Sequence, residues 1–421
     1  MPDSSAPACW RWPPGNSDQW LYCVGVSEPF CSAALVYADE LLDYNFGKHH
    51  PMAPHRVDLT MRLSAAFGVL DRVQVLAPAA IEDDALLRVH SRGYLDALIA
   101  ASANPRGHYG HGLDNPDNPT FSGMHEASKR IAAASLTAAD LVADGSRLHA
   151  GNLMGGLHHA MPDRASGFCI YNDAALAVAR LLDAGHERVG YVDVDAHHGD
   201  GVEWIFADDP RVLTISLHES PMTLFPGTGR SDDVGGAEAR GFAVNLPLPA
   251  GTGDAAWLRA FDAVVPQLLT AFEPTVLVTQ QGADAHALDP LTHLRLSVDG
   301  QRAAYGRLHD LAHQLSGGRW VLLGGGGYAT VDVVPRAWTH LLAIASGDPL
   351  ADEARLPDPY LDYVDGRFGR RGPSTMGDGN HDQVASVPAF DHGFDPADAV
   401  DQVILATRRA VYPYHGLDPD W

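Results

Sequence analysis

The chain of 421 residues is 46% hydrophobic and 19% charged, so it can bury a large core, and disorder throughout is excluded. A formal net charge of −24 leaves no basic stripe to neutralise phosphates, which argues against nucleic acid as a partner. The four cysteines lack paired zinc spacing or the density of a disulfide scaffold, which predicts a reducing, cytoplasmic location. Neither a signal peptide nor an apolar run of about 18 residues is recognisable, so no membrane association is predicted.

Apolar runs alternate with amphipathic segments from residue 32 onward, whereas residues 1–31 have no clear period and are predicted to be an irregular extension. The predicted strands are Val73–Leu76, Val189–Val194, Val212–Leu217, Phe242–Leu248, Thr275–Thr279 and Trp320–Leu323. The predicted helices are Pro54–Phe67, His125–Val142, Asp173–Leu182, Asp254–Ala271 and Val298–Leu315. Thr252 or Asp254 is expected to cap the fourth of these helices.

This alternation predicts an α/β domain over residues 32–346, with a central, mostly parallel sheet covered by helices on both faces. The segment 347–421 is richer in Asp, Pro and Gly, and we expect a peripheral tail that closes with one helix near Pro396–Val411. In open parallel sheets, ligands bind beyond the carboxyl ends of the strands. Candidate functional residues are therefore sought where the predicted strands end.

Two carboxylates and an imidazole stand at such strand ends. Side chains alternate along an extended segment, so Asp193, Asp195 and His197 project to the same side, and Asp284 follows a different strand. Asp195, His197 and Asp284 give the three ligands that a catalytic zinc usually keeps beside one open position. A metal in such a site lowers the pKa of bound water toward about 7.

Proton transfer is assigned to the adjacent histidines His158 and His159. The preceding Gly155-Gly156 predicts a turn whose backbone lets both rings approach one cavity. Asp193 and Asp200 are the carboxylates expected to orient these rings and to raise their basicity.

A glycine run, Gly324-Gly325-Gly326-Gly327, follows the last predicted strand. It lacks the Lys of a phosphate-binding loop and the spacing of a dinucleotide fingerprint, so nucleotide binding is not expected. Four glycines instead let the backbone pass close to a ligand, and Tyr328 is then placed to donate a hydrogen bond to a developing oxyanion.

Taken together, these motifs resemble the histone deacetylase superfamily, including its bacterial acetoin-utilization branch. Besides those already described, the matching blocks are His50-Pro51-Met52, Pro54-His55-Arg56, Ser166-Gly167-Phe168-Cys169, Phe225-Pro226-Gly227-Thr228-Gly229 and Asp289-Pro290. The match spans residues 32–346 and keeps the family's order. The resemblance implies a single three-layer domain of the arginase and deacetylase type.

The resemblance also implies roles for individual residues. Asp195, His197 and Asp284 would hold Zn2+, with Fe2+ as an alternative. His159 would be the general base, His158 its electrostatic or acid partner, and Tyr328 would polarise the acyl carbonyl. The residues implied for the substrate channel are Gly167, Phe168, Phe225 and Gly326, with Leu291 at its rim.

Family members bind structural K+, mainly through backbone oxygens. The positions implied for a first potassium site are Asp193, Asp195, His197, Ser216 and Leu217. Those implied for a second site are Phe206, Asp209, Val212 and Phe242.

The implied reaction removes acetyl or another short acyl group from the ε-amine of lysine in proteins or peptides, with acetylated small amines such as acetylpolyamines as the alternative substrates. Many family members hold the substrate backbone with an acidic rim residue, and residues 101–110 contain no Asp or Glu. Some polyamine-preferring relatives have an acidic residue where this chain has Leu291, which favours acyl-lysine. The native metal and the oligomeric state are left open.

Two other functions are compatible with parts of the pattern. A ureohydrolase of arginase type uses paired manganese ions and an Asp-x-His-x-Asp pattern, which the sequence from Asp195 to His198 lacks. A non-catalytic acyl-group binder would keep the pocket, but the presence of both His159 and Tyr328 argues against it.

Overall fold

A sheet of eight parallel strands organises residues 33–420, the part of the chain that the computed structural model describes. The extension predicted at 1–31 lies outside the described residues. The strands are β1 (Ala33–Val36), β2 (Gln74–Leu76), β3 (His149–Asn152), β4 (Val189–Asp193), β5 (Val212–Glu219), β6 (Ala243–Leu248), β7 (Val276–Gln280) and β8 (Trp320–Leu323). Their spatial order is β2-β1-β3-β8-β7-β4-β5-β6, and every neighbouring pair is parallel.

Helices cover both faces of this sheet. They are α1 (His55–Ala66), α2 (Arg92–Ala103), α3 (Met124–Ala143), α4 (Asp173–Asp183), α5 (Asp200–Phe206), α6 (Asp254–Phe272), α7 (Val298–Ser316), α8 (Val334–Ala345), α9 (Asp358–Phe368), α10 (His381–Ala385) and α11 (Ala399–Val411). One group packs around α3 and α4, and the other runs through α1, α8, α7, α6 and α11. Every residue of β4 and β7 is buried, as expected for strands between two helical layers, and the predicted α/β class is confirmed. No helix within 33–420 is long and apolar enough to cross a membrane.

The six predicted strands are confirmed to within two residues, and the five predicted central helices to within one. Strand β3 was not predicted, because its sequence His-Ala-Gly-Asn has no β-branched or aromatic residue. It is held between β1 and β8, and a side chain at Gly151 would collide with Leu322 of β8. This segment is therefore a strand because its backbone packs closely against β8, and not because its residues favour β-structure.

The predicted cap of α6 is wrong. Gly253 occupies the N-cap position without a side-chain hydrogen bond. Asp254 is the first helical residue, and its carboxylate accepts hydrogen bonds from the backbone N–H and the hydroxyl of Ser297, at 2.7 and 2.6 Å. The Thr252 hydroxyl donates instead to the carbonyl of Pro249. Both candidate caps are thus used to tie neighbouring segments together.

The C-terminal segment differs from the prediction of one helix. It contains α9 and α10 as well as α11, and α11 begins at Ala399 with Asp398 as its N-cap. Helix α9 packs on α1, and α11 packs on α6 and on the edge strand β6. The Thr407 hydroxyl of α11 donates to the Asn245 carbonyl of β6 at 2.7 Å. Helix α11 therefore protects an edge that would otherwise offer free backbone groups.

Candidate metal centre and active site

Four adjacent strands, β3, β8, β7 and β4, deliver the candidate residues to one edge of the sheet. The segments that follow them carry, in that spatial order, His158 with His159, Tyr328, Asp284, and Asp195 with His197. Because carboxyl ends of parallel strands share an edge, segments far apart in sequence meet here.

Asp195, His197 and Asp284 converge at the centre of this edge, and all three side chains are buried. His197 Nδ1 lies 3.0 Å from Asp195 Oδ1 and 2.9 Å from Asp284 Oδ2. The second oxygen of each carboxylate is held by a backbone donor: the Gly326 N–H donates to Asp195 Oδ2 and the Ala196 N–H donates to Asp284 Oδ1. In each carboxylate, one oxygen is therefore held by the backbone and the other lies beside His197 Nδ1.

The buried carboxylates of Asp195 and Asp284 make this part of the site favourable for a cation. Burial, and then the adjacent Asp195, raise the pKa of Asp284 to about 7. Burial opposes the charged form of His197, but Asp195 and Asp284 outweigh it and hold the His197 pKa well above its usual value. Two buried carboxylates side by side require positive charge between them. Two oxygen donors and an imidazole nitrogen fit a divalent metal such as zinc.

The histidine pair lies beside these three residues. His158 Nδ1 is 2.8 Å from Asp193 Oδ2, His159 Nδ1 is 2.6 Å from Asp200 Oδ1, and the two Nε2 atoms are 3.1 Å apart. The predicted pairing of these rings with Asp193 and Asp200 is thus present in the structure.

The two rings carry different charges. Burial opposes protonation of His158, but Asp193 and Asp195 outweigh it and raise its pKa to about 9. Burial, and then the positive charge of His158, lower the pKa of His159 to about 4. At neutral pH the site therefore offers one imidazolium and, at His159, one neutral base.

Aromatic rings stand on both sides of the ligands. The Phe225 ring lies 5.0 Å from that of His159, and the Phe168 ring lies 5.7 Å from that of Tyr328. Gly167 has φ +50°, and a Cβ there would lie 2.5 Å from His159 Cδ2. Glycine at this position therefore leaves room for the ring of His159 between the two walls.

Gly326 is required beside the ligands for a similar reason, since a side chain there would collide with the Asp284 carboxylate. Asp289 ties the neighbouring loops together: its carboxylate accepts from the Leu291 N–H at 3.0 Å and from the Tyr328 N–H at 2.8 Å. Burial, and then Asp284, hold the pKa of Tyr328 well above its usual value, so its hydroxyl remains a hydrogen-bond donor.

Comparison with known proteins agrees with this geometry. Residues 50–345 match the model of the histone deacetylase domain. The chain belongs to the histone deacetylase family. Similar proteins include the acetoin utilization protein AcuC of Bacillus subtilis (strain 168), 41% identical over 73% of this chain and 81% of the relative. The AcuC proteins of Staphylococcus xylosus and Staphylococcus aureus (strain MSSA476) are 37% and 38% identical, over 77% and 75% of this chain and 85% and 82% of the relatives. The predicted family is confirmed, and the chain is a deacetylase, a hydrolase acting on acetylated amines.

The residues implied for the first potassium site of this deacetylase lie where β4 and β5 end. Asp193 and Ser216 are register partners in these neighbouring strands, and Leu217 follows in β5. Asp195 and His197, two of the three candidate metal ligands, follow directly after β4. Ser216 and Leu217 of β5 therefore lie beside the end of β4, while a cation bound there stays a prediction.

The residues implied for the second potassium site gather at the opposite edge, in the turn between α5 and β5. The Asp209 N–H donates to the Phe206 carbonyl at 2.9 Å, and the Val212 N–H donates to the Asp209 carbonyl at 3.1 Å. The Phe242 carbonyl accepts from Thr214 N–H, two residues further along β5. The carbonyls of Phe206, Asp209 and Phe242 thus each accept a backbone hydrogen bond in this region, and a cation bound there likewise stays a prediction.

Two supporting residues of the deacetylase site were missed by the sequence analysis. The Tyr191 hydroxyl donates to Asp193 Oδ2 at 2.7 Å, and the Gln280 amide donates to Asp195 Oδ2 at 2.7 Å. The signal for Tyr191 was its position two residues before Asp193, on the same face of a strand. Gln280 ends β7, but which carboxylate it reaches depends on the order of strands in the sheet.

Proposed function

We propose that this deacetylase removes acetyl or short acyl groups from the ε-amine of lysine in proteins or peptides. The observation that carries the proposal is the convergence of two buried carboxylates on His197 Nδ1, beside a neutral and a charged imidazole. We propose Zn2+ as the resident ion, with Fe2+ as the alternative that the same ligand set accepts. The ion, when bound by Asp195, His197 and Asp284, would polarise the acyl carbonyl and activate water.

His159 is proposed to accept the proton of the attacking water. Its Nδ1 is held by Asp200, so Nε2 is the nitrogen with a lone pair, and its low pKa keeps that nitrogen unprotonated at neutral pH. His158 lies next to it as an imidazolium, held by Asp193, and stabilises the negative charge that develops. As the carbon–nitrogen bond of the amide breaks, the proton passes from the histidine pair to the leaving amine, and acetate is released.

Tyr328 is proposed to donate its hydroxyl proton in a hydrogen bond to the acyl oxygen. Its ring stands 6.4 Å from that of His197, and Asp289 fixes its backbone. A donor positioned in this way stabilises the tetrahedral oxyanion more than the planar amide, which is the requirement for catalysis.

The rings of Phe168 and Phe225, which form the walls of the channel, favour a substrate with an aliphatic stem. An acyl-lysine side chain has four methylene groups between its backbone and its amide, and two aromatic rings suit such a stem. Leu291, half-buried near Tyr328, offers no carboxylate to a second amine. The stem of acetylputrescine has the same length, so it is the apolar Leu291 that favours acyl-lysine over an acetylpolyamine.

The loop between α2 and α3 supports binding of a peptide backbone. The acidic residues missing from 101–110 are present further along this loop, as Asp114 and Asp117. The carbonyl of Asp117 lies 3.1 Å from His50 Nε2, and the His50 ring lies 4.6 Å from Phe168 in the channel wall. A carboxylate here can accept hydrogen bonds from substrate N–H groups.

Zn2+-loaded protein is expected to release acetate from acetyl-lysine peptides. His159→Ala should lower kcat by about 10²- to 10⁴-fold, the usual contribution of a general base. His293→Ala is the matched control, since the His293 side chain is 62% exposed and contacts Glu219 outside the site. No acetate from either peptides or acetylated polyamines, or full activity in His159→Ala, would contradict the proposal.

The substrate class is tested separately with the two acids of the loop. The variant Asp114→Ala/Asp117→Ala should raise KM for acetyl-lysine peptides at least about tenfold, since even one charged hydrogen bond contributes roughly 1.5–3 kcal/mol and about 1.4 kcal/mol is a factor of ten. It should leave KM for acetylated putrescine unchanged, and Asp96→Ala, exposed on α2, should change neither. A preference of the wild type for acetylated putrescine or spermidine over every peptide would favour the small-amine alternative.

We also propose that both sets of backbone oxygens at β5 hold structural K+. Carbonyl oxygens are hard ligands, which suit a hard cation better than a softer transition metal. Replacing K+ by Na+ at constant ionic strength is expected to lower the unfolding temperature of the zinc-loaded protein.

A further inference from the structure

Three histidine rings meet at the edge of the sheet opposite the active site. His149 is the first residue of β3, and His309 and His313 lie one turn apart on α7. That spacing places both rings of α7 on one face of the helix. Ring centroids are 5.1 Å apart for His149 and His309, 5.1 Å for His149 and His313, and 4.6 Å for His309 and His313.

We propose that His149, His309 and His313 form a second metal site, which takes a divalent transition ion such as Zn2+, Co2+ or Ni2+. One nitrogen of each ring lies within 4.8 Å of the other two, and the Nε2 atoms of His149 and His313 are 3.1 Å apart. Nitrogens bound at 2.0–2.1 Å to a tetrahedral ion are separated by about 3.3 Å. The 3.1 Å between the Nε2 atoms of His149 and His313 is already close to that separation.

The tautomer of His149 favours a metal over a simple hydrogen-bonded trio. Its Nδ1 lies 2.7 Å from the Ala345 carbonyl, so Nδ1 carries the proton and the lone pair of Nε2 faces the other rings. Metal-binding histidines use this arrangement, in which a carbonyl fixes the ring and the opposite nitrogen binds the ion.

An ion can reach this cluster from solvent. His149 is buried, but His309 is half-buried and His313 is exposed. His309 and Asp310 line a surface cleft of about 340 Å³, together with Gly347 and Pro349 beyond α8. The Asp310 carboxylate lies 3.5 Å from His309 Nδ1, where it adds negative charge beside the entry route.

The chemistry of this cluster differs from that of the active site. Three imidazoles without a carboxylate ligand prefer Zn2+, Co2+, Ni2+ or Cu2+ and bind Mg2+ and Ca2+ poorly. A bound ion would clamp α7 to β3, and through His149 to the end of α8, far from the deacetylation chemistry. The inference is therefore independent of the proposed function.

Metal counting on the full chain without an affinity tag tests the proposal. After Co2+ or Zn2+ loading and removal of free metal, we expect two ions per wild-type chain and one in His309→Gln/His313→Gln. The double variant should keep wild-type deacetylation, because it leaves the active site intact. His186→Gln is the matched control: His186 is half-buried at the same edge of the sheet, bonded to Thr275, and its loss should leave two ions.

One ion per wild-type chain, unchanged in the double variant, would overturn the proposal. If the double variant fails to fold, His313→Gln alone replaces it, since this exposed side chain can be changed without disturbing the core. It should weaken binding of the second ion at least about tenfold, measured by titration with Zn2+. Equal affinities in the wild type and His313→Gln would also overturn the site.

Discussion

The ring of His90 joins the two ends of the segment 161–172, which follows His158 and His159 in the chain. Its Nδ1 donates to the Met161 carbonyl at 3.1 Å, and its Nε2 accepts from the Asn172 N–H at 3.0 Å. The Asn172 side-chain amide donates in turn to the carbonyls of His158 and Ala160. His90 is 3% exposed and burial lowers its pKa to about 4, so the neutral ring is the form that the fold requires.

Acid should therefore destabilise the protein through His90. Between pH 6.5 and about 4 the unfolded chain binds a proton at this residue and the folded chain does not, so the free energy of unfolding rises with pH in that window. One such proton contributes a slope of about 1.4 kcal/mol per pH unit. Urea unfolding at several pH values should show a slope that is smaller by about this amount in His90→Gln. Equal slopes in the two proteins would contradict this role.

At the scale of single residues, the sequence predicts ligands better than their supports. Asp195, His197 and Asp284 could be predicted to meet because strand ends converge on one edge of a parallel sheet. Gln280 and His90 support the site through side-chain hydrogen bonds between distant segments. Those bonds depend on the strand order and on rotamers, which no local pattern encodes.

At the scale of elements, hydrophobic runs decide what can be predicted. Strands β4 to β8 are rich in Val, Ile and Leu and were all predicted. Strand β3, His-Ala-Gly-Asn, contains none of these residues, and β1, Ala-Ala-Leu-Val, has a single β-branched residue, and neither was predicted. The short helix α5, which begins at the catalytic Asp200, was read as part of the motif around the metal ligands. Its seven residues make only about two turns, which is too short a stretch to show a helical period.

Helix α11 is predicted to be an integral part of the fold. Its Asp401 forms a pair with Arg259 of α6 at 2.7 Å, with side chains 3% and 11% exposed. Removing one member of a buried pair leaves the other uncompensated, so Asp401→Ala should lower the free energy of unfolding by about 3–5 kcal/mol. Asp420→Ala is the control: its partner Arg409 is on the same helix, but that pair is exposed and should contribute less than about 1 kcal/mol. Urea unfolding that shows similar losses for both would argue against the role of α11.

At the scale of the whole molecule, the charge balance bears on substrate capture. Asp and Glu number 53 against 29 Lys and Arg, which gives the net charge of −24. The negative potential of such a surface attracts cations over roughly a Debye length, about 10 Å at 0.1 M salt. Acetyl-lysine has lost its own charge, so attraction has to act on the residues that flank it.

Arginine-flanked acetyl-lysine peptides should therefore be hydrolysed with a kcat/KM that falls several-fold as NaCl rises from about 0.05 to 0.5 M. Glutamate-flanked peptides of the same length should show the opposite trend, because salt screens their repulsion. The concentration of KCl is kept constant, so that occupancy of the proposed potassium sites does not change during the series. For both peptides kcat should stay constant, since steering acts on encounter and not on the bound state. The same salt response for the two peptides would mean that the net charge of the molecule has no part in substrate selection.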